Sequence, residues 1–312
     1  MSKRTALVTG CSDDGMGSAL AIALHSAGFR VIASARDVNK LSEVRSRGIE
    51  TVALDVQSEK SIQEAVLQVS DLTGGSLDVL INNAGIGYSA PLSDTSITKS
   101  KEIFDVNVWG LLSTTQLFLP LLLQSKKNPM VVNNTSIDSV ISAPFSGVYN
   151  ASKAAAAMIT GNLRLELSSF GIKVIDLKAG GVKTKFWVNA NQVEPKLPPN
   201  SLYTAASTSI EKCMRGEQYD ANAVDRHTWA KAVASDISKS SPPLKIWRGD
   251  SAFLIWIGTF LPMTAFDSTL KKMTGLAELE KQIRVQGKDK IVADSGFVNK
   301  ALHRAGLVAS SS

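Results

Sequence analysis

The chain has 312 residues, 44% hydrophobic and 20% charged, which excludes a disordered chain and leaves room for one large α/β domain or two small ones. Two cysteines, Cys11 and Cys213, and the dispersed His25, His227 and His303 exclude a disulfide framework and a zinc-ligand cluster, so no metal is expected. The net charge of +6 is scattered, with short clusters such as Lys126-Lys127 and Lys271-Lys272, which argues against nucleic acid and for an anionic cofactor or substrate.

Met1-Ser2-Lys3-Arg4 runs straight into the apolar Ala6-Leu7-Val8, so no signal peptide and a reduced, cytoplasmic setting are expected. Short apolar, β-branched runs predict strands at residues 6–9, 30–35, 50–54, 79–82, 130–133 and 173–177. Helical spacing predicts helices between them at 17–27, 38–47, 59–72, 100–123 and 149–169. Fully apolar strands alternating with helices imply a parallel sheet covered on both faces. Right-handed crossovers then give an α/β, doubly wound parallel sheet of Rossmann type.

After Thr184 the pattern changes. Residues 186 to about 222 are polar, with Pro195, Pro198 and Pro199, and read as a mobile cover over a site. A helix near 224–238 and a short strand near 244–247 are expected to close the sheet. Residues 251–266, SAFLIWIGTFLPMTAF, carry no charge and include Pro262. As a helix they would span about 24 Å, short of a ~30 Å hydrocarbon core. A buried helix or a subunit contact is the favoured reading, ahead of attachment to a membrane surface. The last thirty residues read as a polar appendage. The expected division is 1–250 for the sheet with its cover and 251–312 for an apolar helical segment and polar tail.

The first strand runs into Thr9-Gly10-Cys11-Ser12-Asp13-Asp14-Gly15-Met16-Gly17 and then a helix. Glycines there let the backbone approach a pyrophosphate resting on the helix N-terminus, so a dinucleotide is expected. The second strand ends Ser34-Ala35-Arg36. An acidic residue at its end would grip the ribose 2′-hydroxyl of NAD. Arg36 instead offers a charged fork to a 2′-phosphate, which favours NADP(H). Pairing with Asp37 is the competing role for Arg36, and the negative Asp13 and Asp14 work against a phosphate.

Tyr149 and Lys153 are four apart, with Ser136 thirteen residues upstream of Tyr149. On a helix, positions four apart differ by about 40° in direction, so phenol and ammonium share one face. An ammonium beside a phenol of ordinary pKa ~10 favours the phenolate and fits the pair for proton exchange with an alcohol or carbonyl. Asp138, two residues after Ser136, reads as a cap or as a group facing the substrate that favours a hydroxyl or amine donor. Phe145, Phe186 and Trp187 read as pocket lining or core.

Taken together, these motifs resemble the short-chain dehydrogenase/reductase family over about residues 4–250. The Thr9–Gly17 loop resembles TGxxxGxG with one extra residue, and Ser12, Gly15, Met16 and Gly17 fall within it. Asp55 matches the aspartate beside the adenine. Asn82-Asn83-Ala84-Gly85 matches NNAG, and Asn107, Ser136, Tyr149 and Lys153 match the catalytic tetrad. Ala179-Gly180-Gly181-Val182-Lys183-Thr184 resembles PGxVxT, with Ala179 in place of proline. The resemblance implies cofactor contacts from Gly10, Ser12, Gly15, Met16, Gly17, Arg36, Asp55, Asn83, Ala84, Gly85, Asn107, Tyr149, Lys153, Val182 and Thr184.

It further implies reduction of a ketone or aldehyde on a hydrophobic molecule. Tyr149 would donate the proton, Ser136 would hold the oxygen, Lys153 would lower the Tyr149 pKa and Asn107 would position a water. The later part of the chain is similar to fungal acyl-dihydroxyacetone-phosphate reductases and secondary-pathway ketoreductases. Substrates of lipid, steroid or retinoid, and polyketide or terpenoid type stay open, with alcohol oxidation or idle NADP(H) binding as alternatives. A homodimer or homotetramer is implied, and peripheral contact through 251–266 would place the protein at an endoplasmic-reticulum or lipid-droplet surface.

Overall fold

The computed structural model describes residues 3–186, 195–217 and 222–307. Its strands are β1 (Thr5–Val8), β2 (Arg30–Ala35), β3 (Glu50–Ala53), β4 (Val79–Asn82), β5 (Met130–Asn134), β6 (Lys173–Ala179), β7 (Val182–Lys183), β8 (Val224–Asp225) and β9 (Lys245–Arg248). Seven form one parallel sheet in the order β3-β2-β1-β4-β5-β6-β9, while β7 and β8 pair separately. The chain leaves β1 toward β2 on one side and returns to pair β4 on the other. That reversal opens a crevice at the C-terminal ends of β1 and β4, where ligands bind in open α/β sheets.

Alternation along each strand feeds two cores. Ala6 and Val8 of β1 point to one face, where Leu20 and Leu24 of α1 (Met16–Ser26) meet Trp229 and Val233 of the helix Arg226–Ser238. Leu7 points to the other, with Ile62 and Val69 of the helix Glu59–Thr73 and Phe118 and Leu122 of the helix Leu111–Leu123. This apolar packing on both faces is why the strand centres are mainly apolar, with most polar residues toward their ends.

The structure corrects several expected elements. The 38–47 helix is a 3-10 turn, Val38–Lys40, and a single helical turn, Ser42–Arg45, whose Ser42 and Glu43 N–H groups donate to the Asp13 carboxylate. The 100–123 helix starts earlier, at Ile97, and is interrupted by a π-helical segment, Asp105–Gly110, that carries Asn107. Such π turns concentrate at functional sites. The stretch 97–123 is long and apolar enough to cross a membrane, yet it covers the sheet, and Thr115 accepts a buried hydrogen bond from Asn82.

The polar cover is also corrected. Residues 187–194 and 218–221 lie outside the described residues, but the segment between them is anchored. Leu197, Ala206, Ile210, Cys213 and Met214 form a third core with Phe145 and with Leu279 of the helix Leu276–Gln286. The polar tail is helical, at Leu276–Gln286, Lys288–Ser295 and Phe297–Arg304, with Leu279 and Ile291 buried.

The uncharged run 251–266 is not a buried helix. Only seven residues, Ala252–Gly258, are helical, and of these Ala252 and Ile255 are buried. Phe253, Leu254, Trp256 and Ile257 are exposed, as are Phe260, Leu261 and Met263 beyond the helix. The run turns out of the helix at Thr259 and reaches Pro262 in irregular backbone, leaving Phe253, Trp256 and Phe260 in an exposed aromatic cluster. Its helix packs against β9 and the 3-10 turn Ile137–Ser139.

Candidate active site

Four loops leave the C-terminal ends of neighbouring strands and meet over the crevice: 9–17 after β1, 83–86 after β4, 135–139 after β5 and 180–184 after β6. Thr9 ties the first two together, its Oγ1 accepting from the N–H groups of Asn83 and Ala84, both at 3.0 Å. Asn83 returns its Nδ2 to the carbonyls of Thr9 and Gly10. Gly10 has φ +70°, and a Cβ there would sit 2.7 Å from the Ala84 Cα. Helix α1 begins at Met16 with no side-chain cap on its first N–H groups and no acid in its first turn. A tight cradle around an open helix N-terminus fits a pyrophosphate.

Gly17 is the tightest point of that cradle, because an added Cβ would collide with the Gly10 carbonyl and the Asn83 amide. Gly17→Ala is expected to cost about 1–3 kcal/mol of stability through overpacking and to weaken dinucleotide binding in parallel. Gly161→Ala is the control, since a Cβ there meets nothing within 4 Å. Thermal unfolding with and without dinucleotide checks both, and equal behaviour of the two variants would contradict the cradle.

The two loop carboxylates do not face the crevice as free charges. Asp13 caps the helical turn at Ser42, as described above. Asp14, at φ +63°, pairs with Lys185 at 2.6 Å and Arg226 at 3.3 Å. The Lys185 hydrogen bond, with its charge, holds the Asp14 carboxyl below its ordinary range. Burial pushes Glu43 upward, but hydrogen bonds from Arg226 and Ser18 more than offset it. Arg226 thus locks the loop to the Ser42–Arg45 turn. Arg36, at the end of β2, is exposed and forms no ion pair among the described residues, while Asp37 instead accepts from the Asn39 N–H. The guanidinium is free to meet an anion at this end of the crevice.

Asn107, Ser136, Tyr149 and Lys153 all converge and are all buried. Asn107 Oδ1 accepts from the Ile86 N–H at 2.9 Å, and its Nδ2 donates to the Ile86 carbonyl and Ser152 Oγ. Gly85 borders both Asn107 Oδ1 and Lys153 Nζ. Lys153 Nζ donates to the Asn134 carbonyl at 3.0 Å and lies 5.8 Å from the Tyr149 ring centre. Tyr149 hydrogen-bonds Ser136 and packs at a tilt against Phe186, ring centres 5.8 Å apart. Val182 stands in β7, and Thr184 Oγ1 accepts from the Phe186 N–H. Asp55 caps its own turn through Gln57. Of the expected pocket aromatics, Phe145 belongs to the third core and packs edge-on to Tyr203, and Trp187 falls outside the described residues.

The electrostatics reverse one expectation. Burial drives the Tyr149 phenol upward, the Asp138 charge adds to this, and the Ser136 hydrogen bond opposes it only in part. The anticipated lowering by Lys153 does not occur. Burial pulls the Lys153 ammonium down to about 8, against the opposing pull of Asp138 and Asp176. At this depth desolvation outweighs charge proximity. The phenol therefore keeps its proton at neutral pH.

Sequence reasoning missed a buried ion chain behind Ser136. Thr135 donates to Asp176, Asp176 pairs with Lys178 at 2.8 Å, and Lys178 donates to Ser139 Oγ at 2.6 Å. Ser139 in turn donates to the Ser136 carbonyl. The signal was present in β6 as two charges on one face of an otherwise apolar strand, Val174-Ile175-Asp176-Leu177-Lys178.

The family model described as short chain dehydrogenase matches residues 4–195. The chain is 45% identical, over 91% of its length and 98% of the relative's, to a short-chain dehydrogenase/reductase of Pestalotiopsis microspora. It is 33% identical, over 88% of its length and 95% of the relative's, to an NADPH-dependent 1-acyldihydroxyacetone phosphate reductase of Schizosaccharomyces pombe. Among solved structures it matches a short-chain dehydrogenase from Streptomyces avermitilis at TM-score 0.70 and 26% identity, covering 92% of this chain and 99% of that one. With its parallel sheet and the residues gathered at the switch point, the chain belongs to the short-chain dehydrogenase/reductase family and is an NAD(P)-dependent oxidoreductase.

Proposed function

We propose that the protein reduces a ketone or aldehyde on a hydrophobic small molecule to the alcohol, with NADP(H) as cofactor and Tyr149 as proton donor. The observation that carries this reading is the buried Tyr149 phenol gathered with Asn107, Ser136 and Lys153, with the Lys153 ammonium 5.8 Å from its ring centre. Oxidation of an alcohol would need the phenolate as base, whereas reduction needs the phenol as acid, and burial favours the latter. NADPH, when bound, supplies the hydride.

The chain's own residues do the rest. Ser136 Oγ–H holds the carbonyl oxygen as negative charge develops on it, and Tyr149 passes that oxygen its proton. Lys153, its Nζ fixed on the Asn134 carbonyl, keeps a positive charge beside the phenol as it is spent. Asn107 has both side-chain groups committed to Ile86 and Ser152, so a water between Lys153 and solvent would rest on its backbone. Gly10, Ser12, Gly15, Met16 and Gly17 form the pyrophosphate cradle, and Arg36 faces the 2′-phosphate. Asp55 stands at the adenine side. Asn83, Ala84 and Gly85 floor the crevice, and Val182 and Thr184 meet the nicotinamide amide. The NADPH-dependent relative named above accords with this cofactor. NADPH oxidation with a ketone panel tests the reading, and binding without oxidation across the panel would overturn it.

The helix carrying the exposed Phe253, Leu254, Trp256 and Ile257 packs on the turn bearing Asp138, with exposed Phe260 just beyond it. Being uncharged and too short to span, it suits shallow contact with a lipid surface from which an apolar substrate could enter. The protein is expected to co-sediment with phospholipid vesicles, and Phe253→Ser with Trp256→Ser and Phe260→Ser to lower the bound fraction about fivefold or more. Unchanged sedimentation, or loss of a dimer instead, would contradict lipid contact.

A further inference from the structure

Asp138 has no part in the chemistry above, yet it sits inside the site. Its N–H donates to Ser136 Oγ at 3.1 Å, and Ser136 Oγ–H points back to Asp138 Oδ2 at 3.2 Å. The same hydroxyl must turn to the substrate oxygen during reduction. A carboxylate in contact with that hydroxyl opposes the negative charge that forms on the substrate oxygen, which is a cost for an ordinary ketone. It becomes useful only if the substrate brings a hydrogen-bond donor that occupies the carboxylate.

The other groups facing Asp138 leave it in need of one. Tyr149 and Lys153 project from the helix beneath it. Lys153 donates to Asn134, and Tyr149 is held by Ser136. From β6, Asp176 and Lys178 pair with each other, with Lys178 reaching Ser139 and not Asp138. The helix Ala252–Gly258, packed on the same turn, brings no titratable residue. Asp138 is half-buried as a residue, and its carboxylate accepts a side-chain hydrogen bond from Ser136.

We infer that Asp138 is a specificity-determining residue that selects ketones carrying a hydroxyl on the carbon beside the carbonyl and rejects ketones carrying a phosphate there. The distances fit. A substrate oxygen placed about 3 Å from Ser136 Oγ leaves a neighbouring hydroxyl within reach of Asp138 Oδ2, itself 3.2 Å from the same Ser136 atom. A phosphate ester at that carbon would instead set like charges against each other. Burial also lifts the Asp138 carboxyl to about 6, with the Ser136 hydrogen bond and Lys153 opposing, so the preference should titrate. Above that pH the carboxylate accepts from the hydroxyl. Below it, the opposing charge is gone and the preference fades. The assignment rests on the reduction reading of Ser136 and Tyr149.

The test compares matched long-chain ketones, 1-hydroxy-2-decanone, 2-decanone and a 1-phosphorylated analogue, by kcat/KM with NADPH. Wild type at pH 7.5 should favour the hydroxyketone over the plain ketone by about tenfold or more and disfavour the phosphorylated one. Asp138→Ala should lower the hydroxyketone rate and raise the other two, a crossed response that general damage to the site would not produce. Asp138→Asn keeps the shape and an acceptor. It should flatten the hydroxyketone-to-ketone ratio, which in wild type falls as pH drops through about 6. That ratio cancels every titration common to both substrates. Equal wild-type rates on the pair, or a parallel fall of all three in both variants, would overturn the assignment and leave the reduction reading standing. No turnover of any ketone by wild type would remove both.

Discussion

Tyr149→Phe should lower ketone reduction by about 10²- to 10⁴-fold, the usual contribution of a positioned proton donor, while NADPH affinity changes little. The phenol is buried against Phe186 and Ser136, so the variant keeps the ring packing and loses only the hydroxyl. NADPH consumption and a fluorescence titration of NADPH binding read the two effects separately. Because burial keeps the phenol protonated, no loss of reduction from Tyr149 ionisation is expected as pH rises through 8. The ammonium of Lys153 titrates near there instead, so reduction should fall as pH rises through about 8. A flat profile over that range would show that the Lys153 charge is not used.

Arg36→Glu should exchange NADPH for NADH. The guanidinium is exposed at the end of β2 and forms no ion pair among the described residues, with Asp37 occupied by Asn39. A charge-assisted contact to a 2′-phosphate is worth about 1.5–3 kcal/mol, or roughly 10- to 150-fold in affinity. Reversing the charge adds repulsion, and the new carboxylate can accept from a 2′-hydroxyl. The ratio of kcat/KM for the two cofactors should therefore invert. An unchanged NADPH preference would move 2′-phosphate recognition to another residue.

Much of the fold was legible because a parallel strand buried on both faces must be apolar throughout. All six runs between Ala6 and Leu177 are strands in the structure, within two residues at their ends. The convergence of four residues was legible in part from spacing, since Tyr149 and Lys153 share one helix, while Asn107 and Ser136, two residues past the end of the neighbouring strand, came from the family resemblance. What failed was whatever depends on distant partners. The third core joins Phe145, the 197–214 segment and Leu279, so the cover looked polar and loose when read locally. Arg226 reaches Glu43 across 183 positions, and no local pattern announces it. The apolar run at 251–266 promised burial, but its few helical residues leave most side chains outside. Spacing also placed an ammonium by a phenol without revealing that both are desolvated, which reverses the direction of the Tyr149 shift.

Transfer of deuterium from NADPH labelled at its hydride position tests the central claim most directly. Wild type would be incubated with 1-hydroxy-2-decanone, steroid ketones, aromatic polyketide ketones and 1-acyldihydroxyacetone phosphate, and the products weighed by mass spectrometry. The account predicts one deuterium on the former carbonyl carbon of at least one hydrophobic ketone, and its loss in Tyr149→Phe despite retained NADPH binding. NADPH binding with no deuterated alcohol from any of them, or transfer that survives Tyr149→Phe at the wild-type rate, would contradict it.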